Sequence, residues 1–449
     1  MPPIRAWSGI DERRLRDMGV VVGKRIPRYD GLQHVMGRTQ FVDDVSYPNM
    51  LWVKAYRSPV VKAEILKVDV SQAEKTLGVA AVLTAKDVPA NQYGFSNDQP
   101  VLAEKGVRFK GEAIVAVAAV DEDTAQEAVE KIRVDFKEET PVFDPIEAMK
   151  PDTPKVRPEG NLWMFGEVPY RRIRLGDVEK GFKEADVIVE EVYRTQNQDH
   201  SQLEGQVSVA RLEANGVITI NSVSQCPFLH QLQLAGILKV PLNRLKFIGG
   251  TVGGGFGSKN DMHADHIASL LALKTGKPVK WRWTREEEFL ASTVQGAWIM
   301  EYKDGVKKDG RIVARKIRVI RDAGAYGSLN AYVVDKHCFL VCGPYAIPNV
   351  WIDGYCVFTN KQVSSSMRGF GVTPASFSNE VQMDKIAEAV GKDPWEIRFI
   401  NAARDGDITA TRKTLESVAL IETMKEAAKA AGIQLPDHLM AMSSEKKEV

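Results

Sequence analysis

One stretch of the sequence, GGTVGGGFGSKND at residues 249–261, carries six glycines within nine residues. Glycine adopts positive φ angles without a steric penalty and lets a ligand approach the backbone closely. The strand-like LKFI at residues 245–248 precedes the stretch, and Ala264, Ile267 and Leu271 follow it at helical spacing. The pattern predicts a strand, a glycine turn and a helix N-terminus, whose N–H groups and dipole favour an anion or an oxo group.

Two common nucleotide-binding loops do not fit this stretch. A Walker A loop requires Gly-Lys-Ser or Gly-Lys-Thr, which is absent from it. The dinucleotide-binding fingerprint requires a third glycine where Ser258 stands. A tight turn that binds no ligand is the alternative interpretation.

The Gly-Phe-Gly tripeptide occurs a second time, at residues 369–371 in MRGFGVTPASF. Arg368, directly before it, could donate two hydrogen bonds to an oxyanion or could form a surface salt bridge. Thr373 and Pro374 have the residue types of a helix N-cap and a first helical position. Two such turns in one chain suggest a single ligand that is approached from two sides.

The hydrophobic pattern predicts the elements that position these turns. Strands are predicted at residues 51–56, 63–70 and 79–85, with a capping box at Ser71 and Glu74 between the last two. Residues 112–120, 121–132 and 133–136 read as strand, helix and strand, which predicts a β-α-β arrangement. A hairpin is predicted at Asn215-Gly216, and turns of a second antiparallel meander are predicted at Asp304-Gly305 and Asp309-Gly310. Helices are predicted at 260–275, 373–390 and 417–431.

Composition excludes several classes of partner. The 449 residues include 60 basic and 59 acidic side chains, so no overall field favours nucleic acid or an anionic membrane. A chain of this length predicts more than one domain. No stretch approaches the roughly 20 apolar residues of a membrane-spanning helix. Arg13-Arg14 is followed only by a short apolar run at residues 20–22, which argues against an export signal.

The cysteines and paired histidines favour structural roles. Four cysteines, Cys226, Cys338, Cys342 and Cys356, form no C-x-x-C motif and no disulfide framework, which predicts a reduced, cytoplasmic protein. His263 and His266 are three residues apart and could bind a divalent metal. Because His263 shares a helix face with apolar residues, packed histidines are favoured.

The two glycine segments resemble the two molybdenum-site loops of the xanthine dehydrogenase and aldehyde oxidase family, the molybdenum hydroxylases. The matching residues are GGGFGSK at 253–259 and RGFG at 368–371. The likeness extends through VGKRIPRYDGLQHVMGRTQFVDD, RSPVVKAEI and DPWEIRFINA. It implies an α+β fold, in which an α/β-hammerhead-like domain precedes a mixed α+β molybdopterin-binding domain. With the sequence pattern, it predicts an arm at 1–20, the hammerhead-like domain at 21–145, a linker at 146–175, the N-terminal half of the molybdopterin-binding domain at 176–440 and a polar tail at 441–449.

The resemblance also assigns roles to residues. Gln225, in SVSQCPF, matches the glutamine that hydrogen-bonds a molybdenum oxygen, and Phe370 matches the aromatic that packs on a flat substrate ring. The implied cofactor contacts are Gln225, Gly254, Gly255, Phe256, Gly257, Ser258, Arg368 and Gly369, and the implied substrate pocket contains Asn260, Tyr326 and Phe370. The pterin dithiolene holds the metal in this family, so no side chain is expected as a metal ligand. The alternatives are a satisfied strand-end amide for Gln225 and a core residue for Phe370.

Several positions depart from the family pattern. Asn260 stands where xanthine-type enzymes have a glutamate, and Gly327 stands where they have a second purine-contacting arginine. Ser258 replaces the last glycine of the first loop, and Thr373-Pro374 replaces Pro-Gln after the second. Purine specificity of that kind is therefore not implied.

The sequence ends about half-way through the molybdenum region of full-length family members and lacks the glutamate that acts as base. The resemblance therefore implies the large subunit of a split type, with Mo-molybdopterin, in its cytosine dinucleotide form, as cofactor. The implied partners are a smaller C-terminal molybdopterin subunit, an FAD subunit and a 2Fe-2S subunit, and no nucleic acid or membrane. The implied reaction inserts water-derived oxygen into an N-heteroaromatic compound or an aldehyde, and electrons pass to the Fe-S and FAD subunits.

Two alternatives to this function stay open at the sequence level. One is a subunit of an aromatic acyl-CoA reductase of the hydroxybenzoyl-CoA type. The other is a non-catalytic scaffold that has lost the metal, prompted by Ser258, Asn260 and Thr373.

Overall fold

A computed structural model of the chain describes residues 24–445. The predicted arm, the Arg13-Arg14 pair and residues 446–449 of the predicted tail lie outside the described residues. The chain divides into two compact units, residues 1–41 and 42–449. The described part of the first unit contains one short helix, α1 (Gly31–Val35), with no buried residue.

The described part of the second unit contains strands and helices in mixed order. The strands are β1 (Leu51–Arg57), β2 (Ala63–Asp69), β3 (Val79–Leu83), β4 (Gly106–Val107), β5 (Ala113–Ala119), β6 (Arg133–Glu138), β7 (Arg171–Leu175), β8 (Val187–Thr195), β9 (Val207–Leu212), β10 (Ile218–Ser222), β11 (Leu245–Gly249), β12 (Val279–Arg282), β13 (Trp298–Val306), β14 (Ile312–Gly324) and β15 (Val350–Phe358). The helices are α2 (Ser71–Glu74), α3 (Glu122–Glu130), α4 (Pro145–Ala148), α5 (Val178–Glu184), α6 (Pro227–Leu238), α7 (Asp265–Thr275), α8 (Arg285–Ala291), α9 (Asn330–Leu340), α10 (Val372–Val390), α11 (Pro394–Asn401), α12 (Leu420–Ala430) and α13 (Asp437–Met440). No helix within residues 24–445 combines the length and the apolar character that crossing a membrane requires.

A seven-stranded sheet, in the order β11-β10-β9-β12-β1-β5-β3, joins the two predicted domains. Its strands β1, β3 and β5 precede residue 145, whereas β9 to β12 follow residue 176. The strand β5 is apolar throughout because both of its faces are covered. Ala116 and Ala118 pack into the core beneath α7, and Val115 and Val117 pack into a separate core.

The predicted β-α-β arrangement is wrong. The strands on either side of α3, β5 and β6, lie in different sheets, because β6 pairs with β2 in a three-stranded sheet ordered β4-β2-β6. The sequence RVDFKE of β6 alternates between half-buried and exposed residues, as suits a sheet with one solvated face. The helix between them begins as predicted, with the Asp121 carboxylate accepting a hydrogen bond from the Thr124 N–H.

A five-stranded sheet, in the order β7-β15-β14-β13-β8, forms the other large layer. Its edge strand β7 comes from the segment predicted as a linker, which also contains most of α4. The Asp304-Gly305 pair lies within β13 and not at a turn, which corrects the prediction, whereas the predicted turn at Asp309-Gly310 leads into β14. The reason is a buried ion pair, since the Asp304 carboxylate lies 2.7 Å from the Arg315 guanidinium on the neighbouring strand.

The predicted helices exist, with shifted starts. The helix predicted from residue 260 begins at Asp265, and the helix predicted from residue 417 begins at Leu420. The capping box predicted at Ser71 does not form, because the helix N-cap is Val70 and the Asp69 carboxylate accepts the Ser71 N–H. The predicted hairpin at Asn215-Gly216 is confirmed by the antiparallel pairing of β9 and β10.

The buried ion pair yields the first prediction. Replacing Arg315 by methionine leaves the Asp304 carboxylate buried without its cation, and we expect a loss of about 3–5 kcal/mol of stability. Urea denaturation of the purified chain measures this loss. The control is Arg311→Met, because the pair of Arg311 with Asp309 is exposed (64% and 55%) and such pairs contribute about 0–1 kcal/mol. Equal losses in the two variants would contradict the prediction.

Candidate functional site

The first glycine loop holds an unusual backbone conformation directly after β11. Gly254 and Gly257 have φ angles of 97° and 116°, and Phe256 between them has a φ of 53°. Positive φ is uncommon for a bulky residue and persists only where the surrounding structure enforces it. The glycines also allow close contacts, since a Cβ added to Gly255 would lie 2.5 Å from Oε1 of Gln225.

Gln225 is tied to the loop through one end of its side-chain amide. Its Oε1 accepts a hydrogen bond from the N–H of Gly257 at 3.0 Å, and its backbone N–H donates to the carbonyl of Lys259 at 2.8 Å. The residue is exposed, and its Nε2 has no hydrogen-bond partner among residues 24–445. An amide held in this way presents a fixed donor to a ligand oxygen.

In the second Gly-Phe-Gly loop, the phenylalanine and the glycine after it have positive φ angles, as Phe256 and Gly257 do in the first. Gly369, Phe370 and Gly371 have φ angles of 98°, 52° and 90°. The helix α10 begins at Val372 with Gly371 as its N-cap, so the prediction that Thr373 is the N-cap is wrong. Thr373 lies in the first turn instead, where its hydroxyl donates to the carbonyl of Arg368 at 3.2 Å.

A helix start is expected after each loop, and only at the second loop does a helix directly follow the glycines. The helix after the first loop, α7, begins only at Asp265, and a short 3₁₀ turn at Ser258–Asn260 separates it from the glycines. The 19-residue helix α10 follows the second loop without a gap. The helix-dipole argument for an anionic ligand therefore applies to the second loop.

The two loops are hydrogen-bonded to each other. The N–H of Arg368 donates to the carbonyl of Phe256 at 2.8 Å. The hydroxyl of Ser366 donates to the carbonyl of Gly257 at 2.9 Å and accepts from Nδ2 of Asn260 at 2.8 Å. The two turns are thus in direct contact, and a single ligand shared between them stays a prediction.

Four predicted side chains at the two loops differ in their exposure and in their hydrogen bonds. Arg368 is exposed, and its guanidinium has no ion pair within the described residues. Phe256 is 45% exposed, whereas Phe370 is half-buried and packs against the core of the five-stranded sheet. The amide of Asn260 is occupied, because its Oδ1 accepts from the thiol of Cys226 at 3.0 Å and its Nδ2 donates to Ser366.

Among residues 24–445, the hydrogen bond and ring contacts of Tyr326 involve groups other than the two loops. It is 2% exposed, its hydroxyl donates to the carboxylate of Glu112, and the guanidinium of Arg108 lies 5.0 Å from its ring centroid. Burial raises the pKa of Glu112 to about 6 and raises the pKa of Tyr326 above its usual value. A substrate-pocket role for Tyr326 stays a prediction.

Sequence reasoning did not identify Glu204 and His200, whose side chains hydrogen-bond to residues in or next to the two loops. The carboxylate of Glu204 accepts hydrogen bonds from Gly253 and from the ammonium of Lys259. The imidazole Nε2 of buried His200 lies 2.7 Å from the carbonyl of Ser366, and burial lowers the pKa of this histidine. His263, for which the sequence favoured a packed histidine, is buried, and its Nε2 lies 3.2 Å from the carbonyl of Ser258. Glu204 and His200 lie in DHSQLEGQV, which matches no motif.

Comparison with known proteins identifies the family. Residues 164–402 match the family model of the molybdopterin cofactor-binding domain, and residues 36–140 match that of the aldehyde oxidase and xanthine dehydrogenase a/b hammerhead domain. The chain belongs to the aldehyde oxidase and xanthine dehydrogenase family. The predicted α+β fold, with a hammerhead domain before a molybdopterin-binding domain, is confirmed. The domain boundaries stay predictions.

Relatives within this family show what the chain is similar to. It is 37% identical over 410 residues to the nicotinate dehydrogenase large molybdopterin subunit of Eubacterium barkeri, covering 91% of this chain and 95% of that protein. It is 36% identical over 383 residues to a probable xanthine dehydrogenase subunit of Bacillus subtilis (strain 168), covering 85% of this chain and 51% of that protein. The aldehyde oxidoreductase from Desulfovibrio gigas superimposes with a TM-score of 0.86 at 28% identity, covering 91% of this chain and 47% of that chain.

These findings establish the general chemistry of this family member. The chain is a molybdopterin-binding subunit, and it is part of a molybdenum-dependent oxidoreductase. It spans nearly the whole of one relative and about half the length of the other two.

The contact between the loops yields the second prediction. A Cβ added to Gly257 would lie 2.6 Å from the carbonyl oxygen of Ser366 at a φ of +116°, so Gly257→Ala should separate the loops. We expect a stability loss of roughly 1–3 kcal/mol from backbone strain plus the cost of the lost contact. The control is Gly276→Ala, because Gly276 also has a positive φ of +66° but no heavy atom of residues 24–445 would lie within 4 Å of its added Cβ. Chemical denaturation measures both, and equal losses would refute the close packing of the loops.

Proposed function

We propose that this chain is the larger molybdopterin-binding polypeptide of a multi-subunit hydroxylase, which inserts water-derived oxygen into an N-heteroaromatic compound or an aldehyde. The observation that carries the proposal is the hydrogen bond from Arg368 to the carbonyl of Phe256. It joins two loops that each hold a phenylalanine and the following glycine at positive φ, beside the exposed amide of Gln225. A turn with a purely structural role would not need a second copy at its side.

The residues present fit a molybdenum cofactor. The free Nε2 of Gln225 can donate to an oxygen of the group, and the exposed guanidinium of Arg368 can pair with an anionic part of it. Within residues 254–257, Phe256 is exposed and Gly254 is half-buried, so this part of the loop can contact a bound group. When bound, the cofactor supplies the two-electron redox chemistry and the oxygen chemistry, and the protein supplies binding and orientation. We propose the cytosine dinucleotide form of this cofactor.

The side chains around the loops limit the substrate class. The amide of Asn260 is neutral, and both of its ends are used by Cys226 and Ser366. A carboxylate that could act on a purine is therefore absent from this position. Phe370, in the second loop, is the aromatic surface for a flat ring, and a neutral N-heteroaromatic compound or an aldehyde suits such a pocket.

Partner polypeptides are the second part of the proposal. The chain covers 95% of a relative named as a large subunit, but only 51% and 47% of the other two relatives. We propose that a smaller C-terminal molybdopterin subunit supplies the glutamate base and the remaining cofactor contacts. Subunits that hold 2Fe-2S clusters and FAD would carry the electrons away. The cytoplasmic location stays a prediction.

Replacing Gln225 by alanine tests the function. A hydrogen bond to a charged group contributes about 1.5–3 kcal/mol, so turnover should fall roughly 10- to 100-fold while the complex stays folded. The assay uses the complex purified through this chain, an artificial electron acceptor, and a panel of N-heteroaromatic compounds and aldehydes. The control is Gln231→Ala in α6, whose amide donates to the backbone carbonyl of Leu245 at 2.8 Å, away from the glycine loops.

Each outcome of this assay decides a different point. Unchanged turnover in Gln225→Ala would remove this residue from the metal site. A wild-type complex without molybdenum and without pterin would refute the enzymatic function and favour a non-catalytic scaffold.

A further inference from the structure

The side chain of Glu204 contacts both ends of the first glycine loop. Its Oε2 accepts a hydrogen bond from the N–H of Gly253 at 2.7 Å and another from the Lys259 ammonium at 2.8 Å. The backbone N–H of Glu204 also donates to the carbonyl of Gly253 at 3.2 Å. One carboxylate oxygen therefore links residues 253 and 259, between which all the strained positions of the loop lie.

The pair is shielded from water. The side chain of Lys259 is 0% exposed and that of Glu204 is 11% exposed. Burial lowers the pKa of Lys259, and the hydrogen bond that its ammonium donates to Glu204 opposes this effect. A buried ion pair is seldom more stable than apolar side chains of the same volume, whereas it fixes geometry through directional hydrogen bonds. Its position across the loop points to such a geometric role.

The segment that carries Glu204 is itself held firmly. The guanidinium of Arg285 donates to the carbonyls of Gln202 and Leu203, at 2.7 and 3.1 Å. The amide of Gln202 donates to the buried carboxylate of Glu288 at 2.9 Å. Arg285 and Glu288 both belong to α8, so the carboxylate of Glu204 is anchored to a helix outside the loop.

The loop needs such an anchor because its conformation is strained. Phe256 has a positive φ, and a Cβ on Gly253 would lie 2.7 Å from the Cβ of Glu204. Strained backbone relaxes unless neighbouring contacts hold it. Relaxation would move Gly257, whose N–H holds the amide of Gln225.

We propose that Glu204 and Lys259 are positioning residues, whose buried ion pair holds the first glycine loop in the shape that places Gln225 and Phe256 against the cofactor. The statement about the loop stands on the contacts of this chain, and the statement about the cofactor rests on the function proposed above. Neither side chain is a catalytic residue, since each acts through the backbone of the loop.

Lys259→Met in the full-length chain, purified with its partner subunits, tests the positioning of the loop. Methionine is an unbranched side chain only one heavy atom shorter than lysine, and it removes the charge and the hydrogen bond. Hydrogen exchange, followed by mass spectrometry on peptides covering residues 249–259, should accelerate by about tenfold or more. The control is Lys280→Met, because Lys280 is 3% exposed and pairs with Asp43 at 2.9 Å outside the loop. Exchange of the loop at the wild-type rate in Lys259→Met would overturn the proposal.

A charge-neutral double variant, Glu204→Gln with Lys259→Met, separates positioning from general stability. It buries no unpaired charge, so its melting temperature should recover towards that of the wild type, while loop exchange stays fast. Recovery of slow exchange in the double variant would overturn the proposal, since the loop would then not depend on the ion pair.

Molybdenum content and kinetics test whether the ion pair also affects binding and use of the cofactor. In both Lys259 variants we expect a lower ratio of molybdenum to protein and a lower kcat per bound molybdenum, with neither change in Lys280→Met. A normal ratio and a normal kcat alongside fast loop exchange would overturn the role towards the cofactor. Absence of molybdenum from the wild type, with fast exchange in Lys259→Met, would refute the proposed function and leave the role of the pair in the loop intact.

Discussion

The hydrogen bond between the N–H of Arg368 and the carbonyl of Phe256 is the contact on which the candidate site depends. It joins two loops that enter from different parts of the fold, one after β11 of the seven-stranded sheet and one before α10. Both loops hold phenylalanine at a positive φ, which few sequences tolerate. Because each loop restrains the other, the strain is stored in a fixed backbone surface and not released by local movement.

The glycines of the first loop serve the protein's own contacts as well as any ligand. Gly253, Gly255 and Gly257 each lie where a Cβ would collide with a neighbouring group, namely Glu204, Gln225 and the carbonyl of Ser366. These three close contacts give the loop its shape. Their stabilising free energy offsets the conformational entropy that the glycines lose on folding. The groups near the loop that stay available to bind a ligand are chiefly the Nε2 of Gln225 and the guanidinium of Arg368.

The seven-stranded sheet explains how the hammerhead-matching part of the chain is fixed against the molybdopterin-binding part. The strand β1 pairs in parallel with β12 and antiparallel with β5, so strands from the two regions share one hydrogen-bonded ladder. The core beneath α7 draws residues from both regions as well, including Leu51 and Trp281. Shared backbone pairing of this kind resists hinge motion far better than the polar interface usual between domains.

The sequence by itself determined the elements with strong local signals: the hairpin at Asn215-Gly216, the helix capped by Asp121, the glycine loops and, through resemblance, the family. Local signals reach only a few residues along the chain. They misplaced a turn at Asp304-Gly305, where the ion pair with Arg315 on the neighbouring strand decides the outcome. They also misplaced the N-cap at Thr373, because Gly371 takes that position with a positive φ. Only the tertiary structure brought Arg368 to Phe256 and Glu204 to Lys259. The physical reason is that these contacts depend on which strands share a sheet, and strand order is not encoded in any single stretch of residues.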